Sequence, residues 1–278
     1  MHIRQPRSII AGFGSGAGVP PVPLSGAEVR RAFTLIEVLV VIGVTALLLA
    51  ILLPVLASAG DSARIAHSGS NLRQLGAATH TYLTNYNNHL PQYAWDVGGG
   101  NMAIIAALFG GKKGELPFFG INEVGADRRP LNRYLGPRMD EDEEMPVFES
   151  PLDIGQPDTG FGATDSLYDY LGSSYTMNDH ALDGEQFSTL IPAVGPDGRP
   201  GGRMPPVEDT TRTWVIAEHP IYNYQQDGDR RQRWYDGEVR ASMWFLDGHT
   251  ALAVEIPPGV TNTTKDYTFL PSRDWIFP

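Results

Sequence analysis

The sequence predicts an α+β protein: one long N-terminal helix, then a head built on an antiparallel sheet. Three observations carry this. Residues Phe33–Leu56 form an apolar run with a single charge, Glu37. Apolar residues then recur at close to a 3.6 period through Tyr86. Late in the chain, the apolar stretches Ser242–Leu246 and His249–Val254 flank Asp247-Gly248. Asp-Gly between two such stretches is a strong short-range hairpin signal.

The first 29 residues are rich in Gly and Pro, with Gly12, Gly14, Gly16, Gly18, Pro20, Pro21 and Pro23. They carry no periodic pattern and are expected to be an unstructured leader. Translation from an alternative codon at Val29 would shorten that leader to four residues. Arg30 and Arg31 close it. At about 1.5 Å per residue, a helix over 33–56 reaches roughly 36 Å, enough to cross a bilayer core. Positive charge before the span keeps the N-terminus cytoplasmic, which sends the rest of the chain out of the cytoplasm. Glu37 lies near the start of the span, and the span holds no cation to pair with it. Its partner is therefore expected in the headgroup region or on another chain.

The spacing Ala32-Phe33-Thr34-Leu35-Ile36-Glu37 resembles the class III signal of type IV pilins and type II secretion pseudopilins. The resemblance implies cleavage between Ala32 and Phe33 by a prepilin peptidase, which also methylates the new amine of Phe33. Glu37 then falls at the fifth mature position and Pro54 at the twenty-second, where the family often carries a helix-kinking Pro. Ala32 departs from the Gly usual before the cut. The family logic makes Glu37 an assembly residue: the carboxylate of one subunit pairs with the new amine of another and sets their register. The implied partners are the peptidase, other pilin-like subunits in a homo- or hetero-polymer, and a secretion or pilus assembly machinery. The implied location is the inner membrane, single-pass, with a periplasmic head. A competing processing site, Ala57-Ser58-Ala59, has the small-x-small form of ordinary signal-peptidase cleavage.

The expected organisation is a leader over 1–32, a transmembrane and polymerisation helix over 33–56, its amphipathic continuation over 57–88, and an extracytoplasmic head over 89–278. In the continuation the apolar stripe reads Ala63, Ala66, Leu72, Leu75, Ala78, Tyr82 and Leu83. Gly60, Gly69 and Gly76 each weaken it by up to about 1 kcal/mol relative to Ala, so packing on a sheet must hold it. Asn85-Tyr-Asn-Asn88 and Pro91 stop it.

Through the head, Ala103–Phe109 reads as a short helix, and Gly110–Gly125 as a loop with Phe118-Phe119 as a core anchor. Leu131–Leu135 reads as a helical turn, and Asp140–Glu144 as a solvated acidic loop. Ser173–Asn178 and Thr213–Ala217 read as strands, the second ending at Glu218-His219-Pro220. Gly195–Pro206 and Gln225–Arg233 read as exposed loops. Asp247-Gly248 is expected to turn with positive φ at both positions, the type I′ form. The strings Asn71-Leu-Arg-Gln-Leu75, His80-Thr-Tyr82, Ser173–Asn178 and Phe245-Leu-Asp-Gly-His249 resemble a pilin-like family abundant in planctomycetes. Many of its members have a His ten residues before that Asp, where this chain has Gly237.

The chain has 278 residues and a net charge of −11. The leader carries four arginines against Glu28, so the remainder stands at −14. Such a balance opposes nucleic-acid binding, which needs a basic face. There is no cysteine, so neither a disulfide nor a thiolate metal site can form. The histidines lack the spacing of a helical metal site, and no nucleophile elbow or phosphate loop is present. Calcium, which takes several oxygen ligands from loops, is the one cofactor considered, with Asp236 and Asp247 as candidate ligands among Asp227, Asp229, Asp236 and Asp247. The function expected is structural, not enzymatic. The alternative is a membrane-anchored protein that never polymerises and binds a ligand such as a polysaccharide, with Trp214, Trp234, Tyr222, Tyr224 and Trp244 as stacking surfaces. An extracytoplasmic hydrolase is a third reading, without a motif to support it.

Overall fold

A computed structural model of the chain describes residues 33–136, 139–157, 162–182, 189–192, 200–222, 224–225, 228–229 and 232–272. The chain divides into two compact units, Met1–Leu53 and Pro54–Pro278.

The long helix α1 spans Leu35–Asn85. Its described residues in the first unit are all exposed, and they form a stretch long and apolar enough to cross a membrane. Thr45 Oγ1 satisfies itself there by bonding back to Val41 O at 2.9 Å and Ile42 O at 3.0 Å. At the other end, Asn87 and Asn88 take left-handed φ of 51° and 61°, which Asn tolerates better than most residues. Asn88 N donates to Leu83 O at 2.8 Å, closing the helix with a six-to-one bond.

In the second unit, α1 buries Ser68, Gly69, Asn71, Leu72, Leu75, Gly76, Ala78, Thr79, Tyr82 and Leu83. Ala63 and Ala66, expected in the stripe, are exposed; burial begins only at Ser68, where the sheet begins to cover the helix. Two of the three glycines read as weak points, Gly69 and Gly76, are close helix–sheet contacts, while a Cβ on Gly60 would have nothing within 4 Å among the described residues. A Cβ on Gly69 would lie 2.5 Å from Leu252 Cδ2, and one on Gly76 would run into the Trp244 indole. The cost in helix propensity is offset by close helix–sheet approach.

The sheet has four antiparallel strands in the order β3-β4-β7-β8, where β3 is Tyr175–Met177, β4 Trp214–Glu218, β7 Arg240–Phe245 and β8 Thr250–Glu255. Side chains alternate between faces with period two. Tyr175, Met177, Ile216 and Trp244 join Leu72, Leu75, Tyr82 and Leu83 of α1 in the main core. Trp214, Ala217, Ala241, Met243 and Phe245 form a second core with Ile221, Tyr222, Tyr267 and Phe269. The register shifts between Ala241 and Met243, leaving a bulge in β8. There Ala253 has φ 52°, unusual for a residue with a Cβ.

The β7–β8 turn is not type I′. Leu246 and Asp247 are not among the positive-φ residues; Gly248 is, at 98°. Gly248 N donates to Phe245 O at 2.9 Å, and Phe245 N to His249 O at 3.0 Å. This is a type I turn followed by a left-handed Gly. The type I′ pattern occurs instead at the other described Asp-Gly of this region. Asp236 has φ 48° and Gly237 φ 83°, between residues Tyr235 and Glu238, which exchange backbone bonds.

Several head segments differ from expectation. Met102–Ile104 is strand β2, paired with strand β1, Ala94–Asp96, and only Ala106–Phe109 is helical, as a 3-10 turn. Of the expected anchor Phe118-Phe119, Phe118 is exposed, while Phe119 packs with Trp95 against a small core that includes Leu116 and Ile121. The acidic run stays at the surface but is tied down: Lys113 pairs with Glu141 at 2.6 Å and Lys112 with Glu144 at 3.1 Å. Asn132–Tyr134 is the expected helical turn, in 3-10 form. Helix α2, Leu167–Leu171, was not foreseen; Ser166 caps it through Asp169 N. The loop read over Gln225–Arg233 overlaps two short antiparallel strands, β5, Tyr224–Gln225, and β6, Gly228–Asp229, and Gln232 is buried. Part of the loop expected at Gly195–Pro206, and Asp227, lie outside the described residues.

Candidate functional site

The first turn of α1 is closed by a capping box. Thr34 precedes the helix, and Glu37 is three residues on, the Thr-x-x-Glu pattern. Glu37 N donates to Thr34 Oγ1 at 3.2 Å. In return, Glu37 Oε2 accepts from Thr34 N at 2.8 Å and from Thr34 Oγ1 at 2.9 Å. The carboxylate sits where the helix dipole is positive. These contacts come from uncharged Thr34 and supply no counter-charge to Glu37. Oε2 is satisfied locally because the sequence places a Thr three residues before it. Oε1 has no partner among the described residues.

The capping box holds the carboxylate against the amide of residue 34, one residue beyond Phe33. Phe33 is exposed, and Ala32 lies outside the described residues. An anion fixed beside residue 33 is suited to meet a cation there or on an adjoining molecule. Pro54 lies inside α1, where its missing N–H leaves one carbonyl of the preceding turn without a helical donor.

Of the head's candidate calcium ligands, Asp227 and the Asp229 side chain lie outside the described residues. Asp236 is an exposed residue of the type I′ turn. Asp247 Oδ1 accepts from His249 N at 3.1 Å and contacts His249 Nδ1 at 2.6 Å. Among the described residues no group of three or more His, Asp and Glu is arranged to hold a metal. Gly237 takes a φ that a His would adopt only with strain. The aromatic residues considered as stacking surfaces, Trp214, Tyr222, Trp234 and Trp244, are all buried; Tyr224's side chain lies outside the described residues.

Sequence reasoning missed a buried, fully hydrogen-bonded carboxylate of the head. Glu218 ends β4 and is fully buried. Its Oε1 accepts from Ser68 Oγ of α1 at 2.6 Å and from Ser150 Oγ at 2.7 Å. Its Oε2 accepts from Ser242 N of β7 at 2.7 Å and from the Tyr235 hydroxyl. The signal in the sequence was weak: a charged residue in an otherwise apolar strand, which reads as the strand's solvent-facing end.

Residues 29–53 match a family model described as the prokaryotic N-terminal methylation motif. The chain carries this motif. It places Phe33, Thr34 and Glu37 inside a segment associated with pilin-like precursors, and its apolar stretch coincides with the membrane-length part of α1. No curated protein and no solved structure matches the chain.

Proposed function

We propose that the chain is a pilin-like structural subunit. A prepilin peptidase cuts it between Ala32 and Phe33 and methylates Phe33. The product waits in the inner membrane as a single-pass protein with a periplasmic head, and then polymerises through residues 33–56 into a type II secretion pseudopilus or a type IV pilus-like fibre. The observation that supports this is the methylation motif over residues 29–53, joined to a Glu37 carboxylate that keeps Oε1 open.

Cleavage before Phe33 exposes a cationic amine near the edge of the membrane. In lipid neither that amine nor Glu37 is stable alone, so each gains from the other. With Oε2 held by Thr34, Oε1 offers one acceptor to the methylated amine of a second copy. The pair would fix the axial register of packed subunits. This is an assembly device, and the chemistry is done to the chain rather than by it.

The deciding measurement is the N-terminal peptide mass of the protein from its native membrane fraction. A peptide beginning at N-methyl-Phe33 is expected. A start after Ala59 would mean ordinary secretion and end the pilin-like reading. An intact leader would mean a permanent anchor.

A further inference from the structure

Glu218 is a fully buried carboxylate with no cation bonded to it among the described residues. Its four acceptor positions are filled from α1, from the Ser150 loop, from Tyr235 and from β7. A second layer surrounds these donors. The Tyr175 hydroxyl of β3 lies 3.0 Å from Ser68 Oγ. Ser242 Oγ lies 2.6 Å from the Tyr235 hydroxyl and accepts from Ala253 N of β8 at 3.2 Å. Every strand of the main sheet and the buried half of α1 therefore meet at one carboxyl group. Ser68 is the helix's share of the cluster, and it lies where burial of α1 begins.

We propose that the Glu218 cluster is a proton-operated latch: the protonation state of this carboxyl sets how firmly residues 68–83 of α1 are seated on the sheet. Removing an anion from water without a counter-charge is costly, and hydrogen bonds return only part of that cost. The neutral acid avoids the cost. A hydroxyl of Ser68 or Ser150 can rotate to accept its proton.

The titratable groups facing Glu218 are Tyr175 and Tyr235. Burial pushes both phenols up, so they stay neutral through the working range. Ser68, Ser150 and Ser242 do not titrate. Burial also raises the Glu218 carboxyl above its ordinary value; the Ser242 amide and the hydroxyls pull it down without reversing the shift. In the window between the ordinary and the folded pKa, the folded chain holds more protons than the unfolded one. Stability from this group is then full at low pH and falls as pH rises through that window. Asp153 bonds Ser174 Oγ at 2.6 Å and is also raised by burial. It adds a slope of the same sign, so only a comparison with a variant changed at Glu218 isolates the latch.

The test is hydrogen exchange by mass spectrometry on the full processed chain in neutral-detergent micelles, between pH 4.5 and 8.5, corrected for intrinsic exchange. Protection of peptides covering residues 68–83 is expected to fall with rising pH across this range. Glu218→Gln should show a clearly flatter profile. A Glu218→Gln profile parallel to the wild type, or wild-type protection that rises with pH, overturns the proposal. Should Glu218→Gln fail to fold, Ser68→Ala serves. It removes one donor from the charged form, so the midpoint of the transition should move up. An unmoved midpoint also overturns the latch.

Discussion

The indole of Trp244 lies directly over the Cα of Gly76, in the space a side chain at residue 76 would fill. His80, one turn further along α1, meets the same indole edge-on at 4.8 Å. The helix can approach β7 this closely only because residue 76 has no Cβ. Trp244 is 2 % exposed and held by its Nε1–H bond to Gly248 O at 3.1 Å, so it cannot swing aside.

Three substitutions along α1 should therefore differ in sign although each replaces Gly by the best helix former. Gly76→Ala should destabilise the head by about 1–3 kcal/mol, the usual range for overpacking a filled core. Gly69→Ala meets only the end of the Leu252 side chain, which can turn, and should be near neutral. Gly60→Ala meets nothing within 4 Å among the described residues and should gain up to about 1 kcal/mol of local helix stability. Melting curves of the three variants in one detergent would rank them. Equal effects would mean that propensity, not packing, governs these sites.

These glycines also show what the sequence could and could not convey. The helix end was legible because Asn88 and Pro91 act locally. The β7 and β8 strands were legible because their alternation is local too. The reason for Gly76 was hidden because it resides in Trp244, 168 positions away. Glu218 was hidden for the same cause: its donors are scattered from residue 68 to residue 242. The turn at Asp247-Gly248 was misread because one dipeptide serves two geometries, and the type I′ form occurs at Asp236-Gly237 instead. Residues 92–160 were legible only in part, since side chains hold much of the described backbone there. Asn132, for example, bonds Gly111 N, Gly111 O and Ala126 O at 2.8–2.9 Å. At the N-terminus, the spacing of Phe33 and Glu37 was plain, while the capping partner Thr34 lay unread between them.

Thr34 and Glu37 should separate capping from charge. Glu37→Gln keeps an acceptor for Thr34 N and so should keep the first turn of α1. It removes the charge, and assembly should be lost while the N-terminal mass stays unchanged. Thr34→Ala leaves the charge and removes the hydroxyl. Exchange of the first-turn amides should quicken, and assembly should weaken without vanishing. Cross-linking in membranes, read beside the N-terminal mass, distinguishes the two. Full assembly of Glu37→Gln would contradict the register role.

Ala253 offers a direct test of stored strain. Its φ of 52° costs an L-residue roughly 1–2 kcal/mol, while Gly adopts it freely. Gly also gains entropy in the unfolded chain, which returns part of that difference. Ala253→Gly should therefore be neutral or up to about 1 kcal/mol stabilising. Ala253→Val should be clearly destabilising, because a β-branched side chain fits that region worst. Chemical denaturation of both variants checks the sign. A loss of stability in Ala253→Gly would show that the bulge does not strain the residue.

Arg129 is the last case, and here the charge itself is structural. The side chain is 1 % exposed and forms no ion pair among the described residues. Its Nη1 bonds the carbonyls of Ala107 at 3.0 Å, Gly110 at 2.9 Å and Leu171 at 3.2 Å, and Nε bonds Val124 O at 3.3 Å. Burial pulls the guanidinium down to about 9, still charged at neutral pH, and the carbonyl dipoles stand in for a counter-ion. One side chain thus ties the 3-10 turn at Ala106–Phe109, the loop through Val124 and the end of α2 into one piece. Arg129→Met keeps much of the volume but strands several buried carbonyls, each worth about 1–3 kcal/mol when left unpaired. The variant should lose at least about 3 kcal/mol. Arg129→Lys keeps a charge but not the planar fork, so it can serve only some of these acceptors and should fall between the two. Denaturant midpoints in that order would establish the fork, rather than the charge alone, as what joins these segments; a lysine variant as stable as the parent would refute it.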